Sequence, residues 1–444
     1  MRFKGLRLLS GGKLNVYAVE MWGSLFFKIL AIACSFILLP LMLSYLGGAK
    51  FGVWVAVFSI VSWVIFFDLG FGSGLRNKLS ESLSRNDTSE SAILISTAYG
   101  AMGALSLVLY VVFLSANFFI DWQSVFSTED VSLSEFQWSM AAVVFLFLVN
   151  FTLLIVLQVL HASKKSFMTV AHQFLANFIA LLSVLFIKAV FLPSLMVICI
   201  TYGVSQVITT FLVSAFFYKG SPELRPRFGF FRRDRVRSIA MLGGQFFIIQ
   251  LAVLVIFSTD KIIVIKLFGP TSLAEYELVF KAYSAILIMS TLFLAPLWSR
   301  YTHAAANKDY PWMIKALGRS HWVCAVLFVP ALILCAFGHD IIYLWSGYRI
   351  GSGFDLLVAM SVFVLLRVWS DIYAYFLNGV GILKVQMWLA VVQAVINVPL
   401  SVALGRVYGM PGVIYGSVLT LSLSAVLLPI CVYWYLNSVR KMAN

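Results

Sequence analysis

Seven ionisable residues stand inside stretches that are otherwise apolar: Lys28, Lys261, Lys281 and Arg367, and Asp68, Asp260 and Asp371. A charge held in hydrocarbon costs about 2.5–3.5 kcal/mol on insertion scales, so such groups face a cavity or a partner. The two signs suggest two chemistries. Arginine grips phosphate oxygens through two parallel hydrogen bonds and lysine acts as a point charge, so the four cations are candidates for binding an anionic headgroup. A carboxylate at low dielectric can accept a proton or hold Na+ beside backbone carbonyls, so the three aspartates are candidates for coupling or gating.

Each residue also has a purely structural reading. Arg367 and Asp371 are four apart and can pair on one helix face, as can Glu277 and Lys281, where the acid precedes the base. Lys28 lies about 12 Å into its span at roughly 1.5 Å per residue; it contacts a ligand there or snorkels to the surface. Asp68 precedes Gly70 and Gly72, and either bridges to Arg76 or marks a helix break. Asp260 and Lys261 are adjacent, about 100° apart on a helix, and need separate partners. Asn150, Gln158, His172, Gln173, Asn177 and Gln393 add neutral polar groups that suit sugars or, equally, hydrogen bonds between helices.

The elements that position these residues follow from composition. The chain is 61% hydrophobic and 11% charged, far below the roughly 25% charged of soluble domains, and reads as a polytopic membrane protein. Apolar runs predict spans at about 20–46, 52–73, 91–116, 137–160, 168–190, 192–217, 239–267, 272–297, 318–338, 353–378, 386–406 and 411–437, each near the ~20 residues a bilayer needs. The first is too long for a cleavable signal and is expected to stay in the membrane. Of the loop Lys and Arg residues, only Lys50, Lys188, Lys266, Arg349 and Arg406 fall on the side opposite the termini. Basic residues collect on the cytoplasmic side, so both termini are expected there. That bias also accounts for the net charge of +14 without nucleic acid. Residues 218–238, with Lys219, Arg225, Arg227, Arg232, Arg233, Arg235 and Arg237, form a basic linker suited to anionic lipid or to an anionic lipid-linked headgroup at the inner leaflet. Trp22, Trp122, Trp138, Trp312, Trp322, Trp345 and Trp434 fall near span ends, as an interfacial belt would. The five cysteines lack metal-ligand spacing, and no Gly-Gly pair is followed by the Lys-Ser/Thr of a phosphate-cradling loop. ATP hydrolysis is not expected.

The chain also repeats. Leu46-Gly47 matches Phe268-Gly269, Phe51-Gly52 matches Leu273-Ala274 and Trp54 matches Tyr276, all at an offset of half the chain length. Two fused halves, 1–217 and 239–444, are expected. The run YLGGAKFGVW, the helix end DLGFGSGLRNKLSE, the stretch LFGPTSLAEYELVFK, and the turns at Asn378–Lys384 and Tyr408–Val413 together resemble the bacterial oligosaccharide flippases. These are the Wzx or polysaccharide-transporter type, within the multidrug/oligosaccharidyl-lipid/polysaccharide flippase group.

The resemblance implies an all-α polytopic membrane protein, with about 12 transmembrane helices in two six-helix bundles related by pseudo-twofold symmetry. It implies translocation of undecaprenyl-diphosphate-linked oligosaccharide across the bacterial inner membrane, with the first, second, seventh and eighth helices lining a cavity. In that setting Lys28, Lys261, Lys281 and Arg367 become substrate-binding candidates. Asp68, Asp260 and Asp371 become coupling candidates for H+ or Na+, with no resident cofactor. Membrane lipids, a polysaccharide polymerase and a chain-length regulator are the partners it brings in. Two other readings remain at this stage. A cation-coupled drug exporter would need an acidic cavity, and a membrane glycan polymerase or ligase would need large outer loops.

Overall fold

Apolar runs leave their backbone no water to bond, and helix is the structure that satisfies every peptide group within one segment. The structure is a computed structural model that describes residues 14–62, 71–163, 165–382 and 384–443. Its helices are α1 (Leu14–Leu46), α2 (Gly48–Ser62), α3 (Phe71–Ser84), α4 (Thr88–Asn117), α5 (Trp122–Phe126), α6 (Leu133–Leu153) and α7 (Ile155–Ala162). They continue with α8 (Ser166–Val190), α9 (Leu195–Gly220), α10 (Arg233–Ala306), α11 (Tyr310–Ser346), α12 (Phe354–Gly379), α13 (Lys384–Tyr408) and α14 (Met410–Ala443). No strand occurs among the described residues.

Ten stretches among the described residues are long and apolar enough to cross a bilayer: Gly23–Leu46, Thr88–Asn117, Leu133–Ala162, Phe167–Val190, Leu195–Gly220, Thr259–Trp298, Tyr310–Ser346, Phe354–Gly379, Lys384–Tyr408 and Met410–Val439. Large apolar side chains point outward along them; Phe186 is 64% exposed, Leu344 88% and Trp434 77%. Water would not tolerate such surface on so many helices, whereas lipid does. The protein is an all-α, multi-pass integral membrane protein. Gly48–Ser62 is a shorter apolar helix among the described residues, and the span expected at 52–73 runs on into residues outside them. The spans expected at 239–267 and 272–297 are the two arms of α10, separated by the break at Gly269 (φ 81°, ψ 177°).

The repeat seen in the sequence is written into the backbone. Gly47 (φ 74°) ends α1 as Gly269 breaks α10, both in the left-handed region that glycine enters without penalty. Trp54 stacks on Phe58 at 5.5 Å, and Tyr276 stacks on Phe280 at 6.2 Å. Asn86 (φ 58°) and Lys308 (φ 57°) form equivalent corners. The following Asp87 and Asp309 cap α4 and α11 by accepting from Glu90 N and Trp312 N at 2.9 and 3.1 Å. Such caps satisfy amides that the first helical turn leaves open.

The described residues pack as two compact units. One is drawn from Met1–Tyr45, Val64–Ile120 and Ser134–Phe246, the other from Leu46–Trp63, Asp121–Leu133 and Phe247–Asn444. The basic linker belongs to the first: Arg227 N donates to Ser96 Oγ, Arg232 N to Thr97 Oγ1, and Arg235 pairs with Glu90 at 3.1 Å. In the second, Lys266 Nζ donates to Ser124 O at 2.6 Å. The segment between α4 and α6 also corrects one expectation. Trp122 is only 5% exposed, stacked on Phe126 within α5, whereas Trp138, Trp322 and Trp434 are exposed as an interfacial belt requires.

In the second unit α13 and α14 touch through small residues, the usual means of close helix approach in lipid. A Cβ on Gly412 would lie 2.1 Å from Leu404 O, and one on Gly416 2.6 Å from Ser401 Cα. Gly416→Val should therefore separate the helices and lower the melting temperature of the detergent-solubilised protein. Gly318→Ala, with nothing within 4 Å of its Cβ position inside α11, should hold or raise it.

Candidate functional site

The break at Gly269 folds the chain so that charged residues on either side of it meet. Lys261 Nζ lies 2.6 Å from Glu277 Oε2, with side chains only 20% and 14% exposed. Along an unbroken helix they would be about 24 Å apart at 1.5 Å per residue. The ammonium also sits 5.6 Å from the centre of the Phe280 ring. Glu277 thus forms a 2.6 Å ion pair with Lys261 across the break, a partner that its four-residue spacing from Lys281 does not reveal. Lys281 is within electrostatic reach of both Glu277 and Lys261, so two cations and one carboxylate share this part of the fold.

Asp260 faces elsewhere, as its adjacency to Lys261 requires. Its Oδ2 accepts from Ser417 Oγ at 2.8 Å. Asn397 Nδ2 donates to Ser417 Oγ at 2.9 Å and to Thr420 Oγ1 at 3.3 Å. Asp260 Oδ1 and Asn397 Oδ1 are buried without a hydrogen-bond partner among the described residues. A buried acceptor left without a donor is costly, and a bound cation or proton would supply what is missing. The donor set is entirely oxygen, from carboxylate, amide and hydroxyl, which suits a hard cation such as Na+ better than a soft one. Among the described residues no cluster of three or more His, Cys, Asp or Glu is placed to hold a metal.

Asn397, Ser417 and Thr420 were not singled out from sequence. A signal existed: Gln393, Asn397 and Ser401 recur every four residues, and Ser417, Thr420 and Ser424 at three and four, the spacing of one helix face. Gln393 extends the contact by donating to Thr420 O and Ser424 Oγ, both at 2.8 Å.

Arg367 Nε and Asp371 Oδ1 lie 3.0 Å apart on one face of α12, as their spacing implies. Lys28 is half-buried on α1, in the first unit. Asp68 lies outside the described residues. Several neutral polar groups tie helices together. Thr210 Oγ1 donates to Asn150 Oδ1 at 2.7 Å and lies 2.9 Å from His172 Nε2, and Asn177 donates to Ala31 O at 2.8 Å.

An internally repeated helical fold with ionisable residues inside its spans defines a class, the multi-pass membrane transporters. More particularly, the chain belongs to the polysaccharide biosynthesis protein family, whose model matches residues 21–302. It is 23% identical to a putative O-antigen transporter of Salmonella typhi, over 98% of this chain and 99% of that one. It is 21% identical to a putative O-antigen export protein of Yersinia pseudotuberculosis, covering 90% and 91%. Among solved structures it resembles an inward-facing multidrug resistance MATE family transporter of the MOP superfamily (TM-score 0.70, 14% identity, 94% and 96% covered). It also resembles the lipid II flippase MurJ in an inward closed conformation (TM-score 0.66, 12% identity, 94% and 87% covered). These structural likenesses are likenesses of fold.

Proposed function

We propose that the protein flips undecaprenyl-diphosphate-linked oligosaccharide from the cytoplasmic to the outer leaflet of the bacterial inner membrane. The observation that carries this reading is near full-length similarity to proteins named for O-antigen transport and export. Both termini would be cytoplasmic, and the repeated halves 1–217 and 239–444, joined by the linker 218–238, would rock to expose substrate to alternate sides. Lys261, Lys281, Arg367 and Lys28 would hold the diphosphate. Lys261 is salt-bridged to Glu277, so the incoming phosphate would exchange for that carboxylate, the kind of differential contact that shifts a two-state equilibrium. Asp260, with Asn397, Ser417 and Thr420, would take Na+ or a proton as the coupling ion. Asp371 and Asp68 remain further candidates for that role, and a polymerase and a chain-length regulator would act on the exported unit.

The test uses a deletion strain. The lipid-linked repeat unit should accumulate inside, and the wild-type gene should restore surface polysaccharide. Asp260→Asn should reach the membrane yet lower export at least about ten-fold, the scale of a typical coupling energy, and abolish its response to the ion gradient. Unchanged surface polysaccharide in the deletion strain, with altered drug sensitivity, would replace this reading by that of an exporter. Full activity and intact ion response in Asp260→Asn would remove the coupling role.

A further inference from the structure

The first unit holds a cavity of about 420 Å³ that none of the four cations proposed to hold the diphosphate lines. It lies where the spans Leu133–Ala162 and Leu195–Gly220 end. Arg76 and Ser80 reach it from α3, His161 from α7, Ser163 and Lys165 from the turn before α8, and Ser221 from the end of α9. No acidic side chain is among its described lining residues. The Lys165 ammonium is held 4.8 Å from the centre of the Phe217 ring, which forms part of the wall. Ser163 Oγ is buried there with no hydrogen-bond partner among the described residues.

These groups share one chemistry. Guanidinium, ammonium and imidazole N–H groups can donate, as can the hydroxyls of Ser80, Ser163 and Ser221, and among the described lining residues no carboxylate competes. A hydroxyl buried without a partner, in a basic pocket at the ends of two spans, is placed to donate to an anionic oxygen acceptor. We propose that this cavity binds a phosphate-bearing headgroup, with Arg76 gripping two oxygens and Lys165 and Ser163 taking others. The phosphate could be supplied by an anionic glycerophospholipid or by the diphosphate of a polyprenyl-linked substrate.

Full-length protein in phosphatidylcholine nanodiscs is titrated with inorganic pyrophosphate by calorimetry. Saturable binding is expected, weakened at least ten-fold in Arg76→Gln/Lys165→Gln and largely retained in Arg76→Lys. Arg85→Gln, which removes an exposed charge paired with Glu81 at the end of the same helix, should change affinity less than two-fold. Competition by phosphatidylglycerol in the disc would identify a phospholipid headgroup. Competition by a polyprenyl diphosphate alone would identify the substrate, and by neither, a free anion. No binding, equal binding by the double variant, or equal weakening by Arg85→Gln would overturn the proposal. Both mutated side chains are exposed, so an unchanged melting temperature in the double variant separates lost binding from lost fold. Binding is read without transport, so its failure is distinct from failure of glycan export.

Discussion

A Gly52→Val protein should fail to restore surface polysaccharide and should be recovered from membranes in greatly reduced yield. A Cβ at this position in α2 would lie 1.7 Å from the carbonyl oxygen of Pro270, 2.5 Å from its carbonyl carbon and 3.0 Å from its Cα. All three are backbone atoms beside the break at Gly269, so no rotamer change relieves the clash. Ordinary overpacking costs about 1–3 kcal/mol because side chains shift to absorb it. Here the turn itself must move, and even Gly52→Ala should cost more than that, although alanine in a helix normally gains about 1 kcal/mol over glycine. Gly103→Ala is the control, since its closest neighbour would be Thr152 Cγ2 at 3.8 Å. Thermal midpoints in detergent should fall sharply for Gly52→Ala and hold or rise for Gly103→Ala. Equal midpoints would contradict the close approach of α2 to Pro270.

The second large effect concerns the ion pair across the break. Glu277→Ala leaves the Lys261 ammonium in a largely buried place without its carboxylate. Removing one partner of a buried pair costs about 3–5 kcal/mol, whereas replacing both with apolar residues of similar volume is often neutral. Lys261→Met/Glu277→Leu should therefore melt close to the wild type while Glu277→Ala melts well below it. A double-mutant cycle completed with Lys261→Met isolates the coupling between the two side chains. Stability and transport then separate. The stable double variant is expected to be inactive, because the proposed headgroup exchange loses its cation. Full export by the double variant would leave the pair a structural role alone.

Local features were legible in the sequence because their physics is local. The apolar runs announce helices in lipid, the glycines at 47 and 269 announce the turns, and the four-residue spacing of Arg367 and Asp371 places them on one face. The repeat reaches further than the aligned residues suggested. Asn86-Asp87 and Lys308-Asp309 share corner and cap although only the aspartate is common to both. The contacts that cross between elements were not legible. Glu277 pairs with Lys261 because the break returns one arm of α10 toward the other, and side-chain spacing along a helix carries no such information. Asn397, Ser417 and Thr420 look like ordinary polar interruptions of apolar helices until α13 and α14 bring them to Asp260. Gly52 looks no different from any helical glycine until Pro270 lies against it.

The sequence by itself thus determined an all-α membrane protein of internally repeated helices and the family to which its motifs point, since hydropathy, turn glycines and short-range spacing act within a few residues of the chain. Tertiary structure alone decided which carboxylate neutralises Lys261, which oxygens surround Asp260 and where a basic cavity opens beside Arg76. Those depend on helices distant in sequence meeting at side-chain range, and the small residues that let them meet reveal their purpose only in contact.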